Sequence, residues 1–161
     1  MKKFFIVLTL FFLANQLFAR DLTALERRII MAGPEEMIQM VKDRSLEKEL
    51  FNIYNYVENL DSDEIMDTFL QAFPGITEDE CLFIIIKLAL VVSLGSGDEE
   101  GIEMGLDILE FCEEVEYMAE SEYLPEDIQA FVDSSYWKDC LAFYKMFDPE
   151  SFLKERFPDY F

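Results

Sequence analysis

Apolar residues recur along this chain at steps of three and four, and the period-two alternation of a half-buried strand is scarce. Leu22, Leu25, Ile29 and Ala32 mark a first short helix, which Gly33 stops. Pro34 suits the first position of a second, with Glu35 and Glu36 placed favourably against its dipole. Leu46, Leu50, Ile53, Val57 and Leu60 then fall on one helical face. Asp61 and Glu64 read as a capping box for a further helix that Pro74-Gly75 ends, and Thr77 with Glu80 reads as another.

The second box opens residues 81–94 (CLFIIIKLALVVSL), apolar nearly all round and interrupted only by Lys87 and Ser93. A helix without a polar face belongs at the centre of a bundle. Gly95-Ser96-Gly97 reads as a flexible loop, after which Asp98 caps a long helix to about Ala119. Met104, Ile108, Phe111, Val115 and Met118 form its expected apolar face. Pro125, Glu126 and Asp127 start another helix, Ser134 or Ser135 the next, and Asp148-Pro149-Glu150 a last one that Pro158 closes. The expected fold is all-α: one domain, residues 20–161, of about seven to nine short helices around the apolar helix at 81–94.

The first nineteen residues do not belong to that bundle. Lys2 and Lys3 precede the apolar run at 4–14 (FFIVLTLFFLA), and Leu17-Phe18-Ala19 offers small or aliphatic residues before Arg20. This pattern predicts a cleaved, bacterial Sec-type export signal over residues 1–19, and so a periplasmic or secreted product. The run is about half the length of a membrane-spanning helix, and no cysteine follows the cleavage point to carry a lipid, so no membrane insertion is expected after cleavage.

Charge sharpens the picture. The chain has 13 basic and 34 acidic residues, net −21; losing Lys2 and Lys3 with the signal leaves 11 basic residues and −23. Residues 20–60 are nearly balanced, and no Lys or Arg occurs between Lys87 and Lys138. Such a field repels phosphate backbones and anionic lipid headgroups, which argues against nucleic acid as a partner, and attracts basic proteins. The acids are also ordered: Glu100, Glu103, Asp107, Glu110 and Glu114 step by three and four along the long helix. Like charges at that spacing oppose the helix by a few tenths of a kcal/mol per pair, roughly, so a stripe of this kind invites a neutralising partner. The competing account is an ordinary solvated face that keeps the protein soluble.

Aromatic residues crowd the C-terminal stretch. Tyr136, Cys140, Phe143 and Phe147 share one helical stripe, and Trp137, Leu141 and Tyr144 another. Core packing accounts for one stripe, and a second leaves Trp137 and Tyr144 as candidate anchors for a partner. The three cysteines, Cys81, Cys112 and Cys140, allow one disulfide, with Cys112–Cys140 preferred, or three buried thiols.

Catalytic chemistry finds little to use. The chain has no His, which removes Ser–His and Cys–His pairs and the commonest zinc ligand. Asp61 and Asp63 lack the rest of a calcium loop, and Asp98, Glu99 and Glu100 follow Gly95-Ser96-Gly97 where a phosphate loop needs neutral donors. No catalytic residue, metal site or cofactor is expected. The sequence therefore predicts an exported, non-enzymatic acidic protein that binds a basic protein, as inhibitors and immunity proteins do. The alternative is a periplasmic chaperone or envelope-assembly subunit that uses the aromatic C-terminal region.

Overall fold

Side-chain caps set most of the helix starts. The computed structural model describes residues 21–59, 61–120, 129 and 132–160. The expected signal at 1–19 and the helix start at Pro125, Glu126 and Asp127 lie outside the described residues. Helix α1, Ala24–Met31, opens on a capping box in which Thr23 N donates to Glu26 Oε2 at 2.6 Å and Glu26 N to Thr23 Oγ1 at 3.1 Å. Gly33 has extended backbone and serves as the N-cap of α2, Pro34–Lys42, so it begins the second helix as much as it stops the first. After α3, Glu47–Glu58, Asp61 accepts from Glu64 N at 2.9 Å and starts α4, Ser62–Ala72. Gly75, at φ +94°, makes the turn that follows.

The Thr77–Glu80 box forms as the sequence predicts and opens α5, Glu78–Gly95. Asp98 accepts from Gly101 N at 3.0 Å at the head of α6, Glu99–Glu120. Helices α7, Ser135–Met146, and α8, Pro149–Arg156, follow, with Asp148 capping α8 through Ser151 N at 3.1 Å. A 3-10 turn, Pro158–Tyr160, comes last. Among the described residues there are eight α-helices and no strand, arranged as one domain.

Helix α5 is the hub. It packs against α1, α2, α3, α4, α6 and α7, and every residue from Ile86 to Gly95 is buried. Burying one Leu or Ile side chain contributes about 1.5–3 kcal/mol, so this segment anchors the whole assembly. The charged residue within it is satisfied rather than tolerated. Lys87 is fully buried, and its Nζ donates to Ile30 O at 2.9 Å, Ala32 O at 2.6 Å and Asp139 Oδ2 at 2.7 Å. The two carbonyls belong to the C-terminal end of α1, where helical carbonyls lack partners and negative dipole accumulates. One side chain thus ties α1, α5 and α7 together.

Glycines bring α5 and α6 unusually close. A Cβ on Gly105 would lie 2.6 Å from Leu94 Cγ and 3.1 Å from Leu94 N; one on Gly101 would lie 2.6 Å from Ser96 Oγ. The expected flexible loop at Gly95-Ser96-Gly97 is instead a tight corner: Gly95 ends α5, Ser96 is buried, and only Gly97 takes a left-handed conformation at φ +72°. The buried face of α6 is Gly101, Ile102, Gly105, Ile108, Leu109, Cys112 and Val115. Of the expected face, Ile108 and Val115 are buried, while Met104, Phe111 and Met118 flank the seam half-buried.

Candidate functional site

The buried seam of α6 dictates what its outer surface can be. With residues 101, 105, 108, 112 and 115 turned inward, Glu100, Glu103, Glu110 and Glu114 are exposed and Asp107 is half-buried. The predicted stripe therefore exists as one outward face, but its two halves differ in company. Toward the C-terminal end, Lys145 of α7 pairs with Glu116, and Tyr144 leans on Glu113 and Glu116. Partial desolvation and then the nearby Glu113 charge push the Tyr144 phenol above its usual range. Glu110 and Glu114 also make contacts within the chain.

Toward the N-terminal end, Glu99, Glu100, Glu103 and Asp107 form no ion pair among the described residues. Several of the chain's cations are committed elsewhere. Lys87 holds Asp139, Lys154 holds Glu150, and Arg156 holds Glu47 at 3.1 Å. Side chains three or four apart on a helix are about 5–6 Å apart, inside the roughly 8 Å screening length at physiological salt, so the four carboxylates act as one patch of field. Tyr54 lies near one of them: burial first, and then the Glu58, Asp98 and Glu100 charges, push its phenol up to about 12.

The uncompensated end of α6 also borders a groove of about 290 Å³. Glu99, Glu103 and Leu106 form one wall; Leu153 of α8, Phe157 and Tyr160 form the other. Phe157 and Tyr160 meet edge to face, ring centres 6.1 Å apart and planes at 89°. The second wall is held in place by two arginines. Arg156 donates to Gly95 O at 3.3 Å, and Arg44 donates to Glu155 O at 3.3 Å. A wider cleft of about 420 Å³ at Arg44, Glu47, Lys48 and Asp98 carries both signs of charge, so it offers no comparable selectivity.

Two expected site features are corrected. Trp137 is 0% exposed and packs edge to face on Phe111 at 5.6 Å, so it fills the core between α6 and α7 and presents no surface to a partner. The two expected aromatic stripes on α7 collapse into one, Trp137, Cys140, Phe143 and Phe147, because the helix is covered on one side. Tyr144 stays half-buried at the edge of the acidic face. The preferred Cys112–Cys140 disulfide is not formed: Cys81, Cys112 and Cys140 are free, buried thiols. Burial pushes the Cys112 thiol up to about 12 and Cys140 well above its ordinary range, which suppresses the thiolate that disulfide exchange requires.

Among the described residues, no three His, Cys, Asp or Glu side chains converge as a metal site, and no helix is long and apolar enough to cross a membrane. The sequence offered Glu103 and the aromatic C-terminal region as separate candidates, and did not foresee that Glu103, Leu106, Phe157 and Tyr160 line one groove. Comparison with protein-family models, curated proteins and solved structures finds no match to this chain.

Proposed function

We propose that this chain is an exported, non-enzymatic acidic binding protein that docks a basic protein on the N-terminal half of α6, in an inhibitor or immunity-type role. The observation that carries this reading is local. Glu99, Glu100, Glu103 and Asp107 share a surface on which they form no ion pair among the described residues, while Lys154 and Arg156 are bonded to other acids. A face that was merely solubilising would gain from interspersed Lys or Arg, as the balanced segment 20–60 has them. Opposite fields speed encounter and suppress wrong partners, which suits a soluble protein that must find one target. Export rests on Lys2, Lys3 and the apolar run at 4–14, with removal of residues 1–19. Buried thiols are compatible with that route, because an oxidising compartment attacks exposed thiolates. The chaperone or assembly alternative keeps only part of its aromatic surface, because Trp137, Phe143, Phe147 and Phe152 are consumed by the core while Phe157 and Tyr160 line the groove.

Two charge-matched variants test the proposal. One carries Glu100→Gln, Glu103→Gln and Asp107→Asn; the other carries Asp63→Asn, Asp67→Asn and Asp79→Asn, three exposed acids on α4 and α5. Against a basic lysozyme at low salt, the α6 variant is expected to bind about tenfold more weakly and the control within about twofold of the parent. Equal weakening of both would mean that total charge alone governs binding, and the proposal would fail.

A further inference from the structure

The groove beside the unanswered carboxylates combines features that a bare acidic patch lacks. It is concave, about 290 Å³, with apolar side chains on both walls and two carboxylates on one rim. Glu99 and Glu103 are four residues apart on α6 and exposed, so both can reach a group seated in the groove. Opposite them, Tyr160 is 79% exposed and held edge to face against Phe157. Its phenol ring is therefore largely open to solvent on the groove. The chain's own nearby cations do not fill the space: Lys154 turns to Glu150, and Arg156 turns to Gly95 and Glu47. Because Arg156 and Arg44 fasten the C-terminal wall, the groove needs no large rearrangement to accept a ligand.

An arginine side chain satisfies each of these features at once. Its three-carbon stem can lie on Leu106 and Leu153, its planar guanidinium can stack on an aromatic face, and its fork of donors can reach two carboxylates. Lysine matches the charge but not the planar stacking or the fork. We infer that this groove is the specificity pocket of the docking surface and receives an arginine side chain from the basic partner. The inference rests on the proposed function, and it adds a single residue type at a single place.

The test uses the full mature chain and three peptides of one length: alternating glycine and arginine, glycine and lysine, and glycine and citrulline. Citrulline keeps the shape of arginine and removes its charge. Affinity is read by calorimetry, and the site by shifts of the Leu106 and Leu153 methyl resonances. The arginine peptide is expected to bind, to move both methyls, and to exceed the lysine peptide by about threefold or more; the citrulline peptide is expected to fail. Tyr160→Ala, at an exposed position, is expected to remove most of the arginine preference while leaving the melting temperature unchanged. Equal binding of arginine and lysine peptides, with Tyr160→Ala without effect and the two methyls unmoved, would overturn the pocket and leave the acidic docking face standing. Absence of binding by either cationic peptide at low salt would remove both.

Discussion

Lys87 illustrates how much one residue can depend on distant ones. Its three acceptors lie 57, 55 and 52 residues away in the chain, so nothing in the local pattern reveals that the cation in the apolar helix is bonded. A charge left buried without its partner is costly. We therefore expect Lys87→Met and Asp139→Asn each to destabilise the fold by about 3 kcal/mol, the low end for buried pairs because Asp139 keeps a third of its side chain exposed. The double variant Lys87→Met/Asp139→Asn should cost less than the two together, with coupling of about 1 kcal/mol or more in urea denaturation.

Other buried titratable groups give a second expectation at this scale. Burial raises Cys81 from 9.0 to about 11, Cys112 from 9.0 to about 12 and Tyr54 from 10.0 to about 12. The folded state then keeps protons that the unfolded chain releases, so the stability these groups confer is whole below about pH 9 and is lost as pH rises toward about 12. A urea midpoint lower at about pH 11 than at about pH 8 is expected; an unchanged midpoint would contradict the burial of these groups. Trp137 as a partner anchor and the Cys112–Cys140 bridge do not hold, whereas aromatic core packing and three buried thiols, also open from the sequence, do. Trp is favoured both in cores and at interfaces, and spacing alone cannot separate the two.

Helices were the legible level. Caps at Thr77, Asp61, Asp98 and Asp148 appear where the sequence places them, and the apolar run at 81–94 becomes the buried hub. The apolar face that the spacing predicts for α6 lies one step to the side of its real contact seam. Met104, Phe111 and Met118 advertise themselves by hydrophobicity, whereas the close approach to α5 is made by Gly101 and Gly105, which have no side chain to advertise. That seam makes a prediction about the element pair. Gly105→Ala should force α6 away from Leu94 and cost about 1–3 kcal/mol, more than helix propensity would return. A Gly105→Ala protein as stable as the parent in urea would mean that the helices are not in such close contact.

At the scale of the whole molecule, α5 fixes which side of α6 faces out, and α8 with its terminal turn closes a groove against that side. The acidic stripe was legible because it lies on one helix. The groove was not, because Glu103 and Tyr160 meet only through the tertiary fold. On the proposed function, the N-terminal carboxylates of α6, rather than the net charge, recruit a basic partner. The most direct measurement is the salt dependence of binding to a basic protein between about 50 and about 300 mM salt, for the parent chain and for the Glu100→Gln/Glu103→Gln/Asp107→Asn variant. A steep loss of affinity is expected for the parent and a distinctly shallower one for the variant. Parallel slopes, or a parent affinity that salt leaves unchanged, would contradict it.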